Sequence, residues 1–291
     1  MSTFIDFARA HGLVIDPSRL YPSQRIQRCG TLDKPRSDNG AFLWDGERGW
    51  IMDWSGDARV VWFQQDRGKP WTAEEKRLWA QKRAQTASDQ DRRYRQVAEQ
   101  AEITLRSAKT EEHDYLKYKG FKEEKGLVLE GRLLIPMRNV VTNTLQGYQW
   151  IRWVPEERRY EKKMLTGMRA KGAVFRMGSA DEVWLVEGYA TALSLRAALR
   201  SVGLPAAVVV CFSAGNMVAV ADRIKGRRFV FADNDESQTG QKAAEQTGLP
   251  WTMADETGWD ANDLHVNRGL FALVGKIMQA RSKGLTTEVA A

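Results

Sequence analysis

Three acidic residues stand where chemistry is possible. Glu187 directly follows the apolar run 183–186, and Asp233-Asn234-Asp235 directly follows the run 228–232. Residues two apart on an extended chain point the same way, so the two aspartates can approach one site from one side. Converging carboxylates repel one another unless a cation neutralises them, and hard oxygen ligands suit Mg²⁺ or Mn²⁺. Taken singly, each acid reads as a helix N-cap or a solvated turn residue. Taken together, they are most economically explained by a divalent-metal site.

The elements that must position these acids alternate along the chain. Residues 183–186, 206–211, 228–232 and 250–253 are apolar runs; helix-like segments at 190–200, after Ser213-Ala214-Gly215-Asn216, and at 241–247 separate them. Apolar strands spaced by helices predict an α/β fold, a parallel sheet covered on both faces, with ligands gathering at the carboxyl ends of its strands. Upstream, two β-rich regions are expected. Residues 25–63 carry turn signals (Asp38-Asn39-Gly40, Asp45-Gly46, Ser55-Gly56-Asp57) between the runs 41–44, 50–52 and 60–63, a small antiparallel meander. Residues 132–137 and 147–153 flank a turn at 139–144, followed by a basic stretch at 158–171 and a short run at 173–175. Between these regions, residues 72–109 lack Gly and Pro and open with a Thr72–Glu75 capping pattern. The sparse apolar positions of this segment (Leu78, Trp79, Val97, Ile103, Leu105) form no wide stripe, so it reads as a solvated helical connector.

Composition narrows the class. At about 150 residues per domain, 291 residues suggest roughly two compact units, and 43% hydrophobic with 28% charged residues is globular. The net charge is +7, yet residues 179–270 carry 12 acids against 8 bases, a net −4 that leaves +11 elsewhere. That split fits a protein holding a polyanion with one part and presenting carboxylates from another. No run approaches the length of a membrane span and the N-terminal residues lack a basic-then-apolar pattern, so a cytoplasmic protein without a membrane partner is expected. Two cysteines (Cys29, Cys211) and three histidines (His11, His113, His265) make neither a disulfide framework nor a thiolate zinc site, so no zinc is expected.

Several motifs together resemble a known family. Val186-Glu187-Gly188-Tyr189-Ala190-Thr191-Ala192, Ser213-Ala214-Gly215-Asn216, Asp233-Asn234-Asp235 and Gly240-Gln241-Lys242-Ala243-Ala244 look like the successive motifs of a TOPRIM domain. Bacterial-type primases, type IA and II topoisomerases and certain nucleases share that domain. Asp260-Ala261-Asn262-Asp263-Leu264 is similar to the D-x-N-D-L element of primases from conjugative plasmids and satellite phages. Upstream, His113-Asp114-Tyr115-Leu116 with Lys119-Gly120, residues 132–139, Leu145-Gln146-Gly147-Tyr148-Gln149 and Lys162-Lys163-Met164-Leu165-Thr166-Gly167 resemble the basic N-terminal subdomain of the same primases' core. The resemblance spans about residues 111–264.

The resemblance implies a DNA primase that joins nucleoside triphosphates into primers on a single-stranded DNA template in a bacterial cytoplasm, serving phage- or plasmid-type replication. It implies Glu187, Asp233 and Asp235 as catalytic and metal-binding residues for two Mg²⁺ or Mn²⁺ ions, with Asp260 and Asp263 as accessory acids. Lys162, Lys163, Arg152, Arg138, Lys242 and Gly215 would contact nucleotide or template. The alternatives are a TOPRIM nuclease, or a non-catalytic single-stranded-DNA-binding accessory factor. Primases usually open with a zinc ribbon, whereas only Cys29 stands near the start here, so the meander is expected to keep a ribbon-like shape without metal. Arg25 and Arg28, with Arg158 and Arg159, are the expected DNA-binding residues. Tryptophans 44, 50, 54 and 62 suit base stacking or the meander's own core equally well. A near-match to a phosphate loop at 269–277 lacks its Ser/Thr and reads as an amphipathic helix, so a helicase would act in trans. The expected organisation is a β module (1–70), a helical connector (71–110), the basic subdomain (111–178), the TOPRIM domain (179–268), and a C-terminal helix and tail (269–291).

Overall fold

The computed structural model describes residues 3–23, 25–54, 59–64 and 73–289. The Ser55-Gly56-Asp57 turn, the Thr72 cap and the side chains of Glu75, Leu78 and Trp79 lie outside the described residues. The chain divides between Arg83 and Ala84 into two compact units.

The first unit begins with a helix that the sequence reading did not place, α1 (Phe4–Ala10). The Thr3 hydroxyl accepts from the Asp6 amide at 3.1 Å while the Asp6 carboxylate accepts from the Thr3 amide at 3.0 Å, a reciprocal cap. Strands β1 (Leu13–Val14), β2 (Gln27–Thr31), β3 (Gly40–Trp44), β4 (Arg48–Asp53) and β5 (Val61–Gln64) follow as an antiparallel sheet in sequence order. Period-two alternation sends Cys29, Phe42, Ile51 and Phe63 inward against Phe4 of α1. Burial pushes the Cys29 thiol up to about 11, so this residue is packed as an apolar side chain. The tryptophans divide: Trp44 lies partly in this core, whereas Trp54 and Trp62 are 53% and 61% exposed. Trp62 pairs across the strands with Trp50, and the Arg28 guanidinium lies 5.3 Å from the Trp54 ring.

The division between units falls within α2 (Ala73–Ser107). The latter half of α2 is more than a solvated connector: Ala101 is fully buried and Val97 packs on the second unit's core. Then come β6 (Lys109–Glu111), α3 (Asp114–Tyr118), β7 (Gly126–Leu129), β8 (Arg132–Asn139), β9 (Leu145–Val154), β10 (Arg159–Met164) and β11 (Ala173–Met177). The alternating part follows as β12 (Glu182–Val186), α4 (Tyr189–Ser201), β13 (Ala206–Val210), α5 (Ala214–Ala221), β14 (Arg227–Ala232), α6 (Thr239–Gln246), β15 (Trp251–Met253) and α7 (Ala261–Val289).

Strands β13, β12, β14 and β15 are parallel, as expected, but they are not a separate sheet. Antiparallel β11 pairs with β13 on one side and β8 on the other, so a single mixed sheet of ten strands runs β10-β9-β8-β11-β13-β12-β14-β15, with β7 beside β8 and β6 beside β7. Both faces of the parallel part are covered. Trp184, Val186, Val208, Val210, Phe229 and Phe231 pack under α4 and α7, and Val183, Leu185, Val209 and Val230 pack under α5 and α6. Each such side chain, fully buried, contributes about 1.5–3 kcal/mol. Gly269 (φ 81°, ψ 169°) breaks α7, and beyond it Leu273, Ile277 and Ala280 are fully buried, so the C-terminal helix is part of this core. No described helix is long and apolar enough to cross a membrane.

Candidate active site

Glu187 and Asp233 immediately follow β12 and β14, adjacent parallel strands whose register pairs Leu185 with Val230. Glu187 therefore comes opposite Ala232, one residue short of Asp233, and both acids stand at the carboxyl edge of the sheet. Burial first, and Asp235 second, raise the Glu187 carboxyl above the usual range. Asp233 is pushed up to about 8, mainly by burial, then by the charges of Asp260 and Glu187. The Oδ1 atom of Asp233 is sealed from solvent and has no hydrogen-bond partner among the described residues. A buried acceptor without a partner carries a full desolvation cost.

Asp235 sits differently. The Ser237 hydroxyl donates to its Oδ1, the Thr239 amide donates to the same atom at 3.1 Å, and the Gly240 amide donates to Oδ2 at 3.0 Å. Led by the Ser237 bond, these hold its carboxyl below the usual range, so Asp235 stays charged and caps α6. Gly240 has a steric reason for its identity: a Cβ there would lie 2.3 Å from the Asp233 carbonyl oxygen. The middle residue of the trio ties the loop down. Asn234 exchanges backbone hydrogen bonds with Trp259 and Gly258 and donates from Nδ2 to the Ala254 carbonyl at 3.1 Å, which brings Asp260 beside Asp233.

Asp260 and Asp263 form a reciprocal cap on α7. Asp260 Oδ1 accepts from the Asn262 amide at 2.6 Å and the Asp263 amide at 2.9 Å, and Asp263 Oδ2 accepts from the Asp260 amide at 3.1 Å. Asn262, between them, was missed as an individual residue. Its buried Nδ2 donates to the Lys119 carbonyl at 2.9 Å and the Ser194 hydroxyl at 3.1 Å, clasping the turn after α3 to α4 and α7. Asn216 plays the same part elsewhere, accepting from the Gly172 amide at 2.7 Å and donating to the Ala173 and Cys211 carbonyls, each at 2.8 Å. Both residues belonged to quoted motifs, but only long-range contacts show their work.

The expected basic residues separate. Lys162 is brought to the acids, since its charge favours the ionised forms of both Glu187 and Asp233. Its ammonium also lies 5.5 Å from the Tyr115 ring. Lys163, the next residue on β10, points the other way. It pairs with Glu161, as does Arg152 at 3.1 Å, so neither joins the acids. Arg138 is exposed past the β-bulge of β8 and donates to the Asn143 carbonyl at 3.0 Å. Lys242 is exposed on α6, its ammonium 3.4 Å from the Ser237 carbonyl. Gly215 lies in the first turn of α5, where a Cβ would meet nothing within 4 Å. Arg158 (φ 49°) forms the exposed turn between β9 and β10, beside Arg159, which pairs with Glu157. Arg25 and Arg28 belong to the first unit and are exposed.

Among the described residues, no three His, Cys, Asp or Glu side chains form a ready-made ligand group. The donors nonetheless fit Mg²⁺ or Mn²⁺. Their oxygens are hard, Asp233 Oδ1 lacks a partner, and Mg²⁺ is commonly held by one or two carboxylates, with water and substrate phosphate completing its shell.

Residues 182–270 match the family model of the Toprim domain. The match takes in Glu187, the Asp233-Asn234-Asp235 loop and the Asp260–Asp263 cap, so one family pattern covers the acid-bearing edge of the sheet. Comparison with curated proteins gives no significant match. Among solved structures, the chain is similar to the primase fragment of the bacteriophage T7 primase-helicase protein (13% identity, TM-score 0.40, covering 87% of this chain and 99% of that one). It is also similar to a chain in the bacteriophage T7 complex of lagging-strand DNA polymerase with primase domains of two gp4 subunits, an RNA/DNA hybrid and dTTP (15% identity, TM-score 0.36, covering 57% of this chain and 84% of that one). Outside the Toprim domain, the site gains Lys162 from β10 and the Lys119 turn from the segment after α3, neither of which the family match covers.

Proposed function

We propose that this protein is a DNA primase: a metal-dependent nucleotidyltransferase that joins nucleoside triphosphates into short primers on single-stranded DNA for phage- or plasmid-type replication. The observation that carries this reading is Lys162. A basic residue from the upstream antiparallel strands lies close enough to the Toprim acids for its charge to favour the ionised forms of Glu187 and Asp233, a pairing of cation and carboxylates that suits transfer of a triphosphate.

Asp233 and Asp235 would hold Mg²⁺ or Mn²⁺, which would supply charge neutralisation at the triphosphate and acidify the attacking hydroxyl, leaving Glu187 for proton transfer. Asp233 would give up its proton on loading, because burial and the neighbouring acids disfavour its charge until a cation offsets it. Lys162 binds a phosphate oxygen and offsets the repulsion between the triphosphate and the acids. Glu187, raised by burial, takes the proton of the primer 3′-hydroxyl as its oxygen bonds to the α-phosphorus. The bond to the leaving pyrophosphate breaks in the same step. Asn262 positions the Lys119 turn against the domain that bears the acids. A helicase partner in trans belongs to the same reading.

Incubating the protein with single-stranded DNA, Mg²⁺ or Mn²⁺ and labelled nucleotides tests the reading. Extended product is expected. Shortened template would make the acids those of a nuclease, and binding without either product would leave an accessory factor.

A further inference from the structure

We infer that the sheet face turned away from the acids carries a stacking platform for single-stranded DNA, centred on Trp150. Strands β8, β9 and β10 are antiparallel, and their register aligns Leu134, Trp150 and Lys163 in one row and Arg132, Arg152 and Glu161 close by. Three cations surround the half-buried indole: Arg132 at 5.3 Å, Arg152 at 5.2 Å and Lys163 at 5.9 Å from the ring. Glu161 is the carboxylate among them, leaving a local net of +2. It bonds Arg152 and Lys163 and so holds both cations at the ring.

The surface is open to a ligand: the Arg152 and Lys163 side chains are 45% and 60% exposed. A structural ion pair would need one cation for one carboxylate, and a core tryptophan would be covered by apolar groups. Neither describes a ring flanked by cations in surplus. Aromatic faces with surrounding cations suit a flexible polyanion whose bases can stack while its phosphates meet the guanidinium and ammonium groups. Duplex DNA fits less well, because its bases are already stacked. Alternation along β10 makes the division of labour definite, with Lys162 toward the acids and Lys163 toward the platform, so template can be gripped on a face that triphosphate does not occupy.

This inference rests on the reading of the chain as acting on single-stranded DNA, but its test needs no synthesis. Fluorescence anisotropy with labelled oligo(dT), full-length protein and no nucleotide is expected to show Trp150→Ala binding about 5- to 150-fold more weakly, the range one stacked base supplies. Trp150→Phe, which keeps a ring, should recover most of the loss. The double variant Arg152→Ala, Lys163→Ala, confined to exposed side chains, should flatten the salt slope by about 1.4, two contacts at about 0.7 each. The double variant decides the matter if Trp150→Ala fails to fold. Parental affinity and slope in these variants would overturn the platform, and a loss confined to oligo(rU) would overturn its assignment to DNA. Weakened binding by a protein that makes no primers would sustain the platform while ending the primase reading. Primer synthesis with unchanged binding would do the reverse.

Discussion

Replacing Asp233 with Asn is expected to lower primer synthesis by about three orders of magnitude while leaving the protein folded and able to bind DNA. The substitution keeps size and shape but removes the charge that would balance the cation. It should also raise the melting temperature of the metal-free protein. In that state Asp233 is pushed up to about 8, from an ordinary value of 3.8, by burial and by Asp260 and Glu187. The folded form therefore holds a proton more tightly than the unfolded one between those two values. Its contribution to stability is full below about pH 4, declines as pH rises, and levels off above about pH 8. Thermal melts of the Asn variant across that range should lack this decline, and the gap to the parent should be widest at the alkaline end. Asp235→Asn should also stop synthesis, but with the opposite effect on melting. It loses acceptor capacity and charge at the start of α6, where Thr239 and Gly240 donate, at a cost of about 1 kcal/mol. Equal synthesis by the Asp233 variant and the parent would remove the acids from the chemistry.

Lys162→Ala should lower kcat by about 10²–10³-fold, the usual loss when one fixed cation or donor opposite developing charge is removed. The direction is fixed by what Lys162 does now. It favours the ionised forms of both Glu187 and Asp233, so without it both carboxyls rise further and the pH profile of kcat shifts to the alkaline side. Lys163→Ala should act instead through the KM for template, because Lys163 belongs to the Trp150 face. Steady-state kinetics over a pH series separates the two. A kcat effect confined to Lys163, or an unshifted profile in the Lys162 variant, would contradict the assignment.

That adjacent lysines part company shows where sequence reading stops. The acids were legible because their signal is local: an apolar run, then a carboxylate, repeated on neighbouring strands. The alternating part of the fold was legible for the same reason: α4 and α6 begin within two residues of the expected starts, whereas α5 begins at Ala214, inside the expected turn, and α7 begins eight residues before the expected C-terminal helix. The facing of Lys162 is a matter of β10 register against β9, which no local pattern states. The clasp from Asn262 to the Lys119 carbonyl joins residues 143 apart, and β11, five residues long, fuses two expected sheets into one. In the first unit, alternation along the strands separates inward Phe42 and Ile51 from outward Trp50, a division the turn signals alone left open. The α1 cap at Thr3 and Asp6 is a local capping pattern and is legible in the sequence.

Mn²⁺ titration of the metal-free protein, followed by electron paramagnetic resonance, tests the central claim most directly, because it sees the cation at the acids without needing turnover. The parent is expected to bind Mn²⁺ with an affinity that rises with pH up to about 8, as Asp233 gives up its proton, and Asp233→Asn is expected to lose both the tight binding and that pH dependence. Mn²⁺ bound by the Asn variant as tightly as by the parent, with the same pH profile, would contradict it.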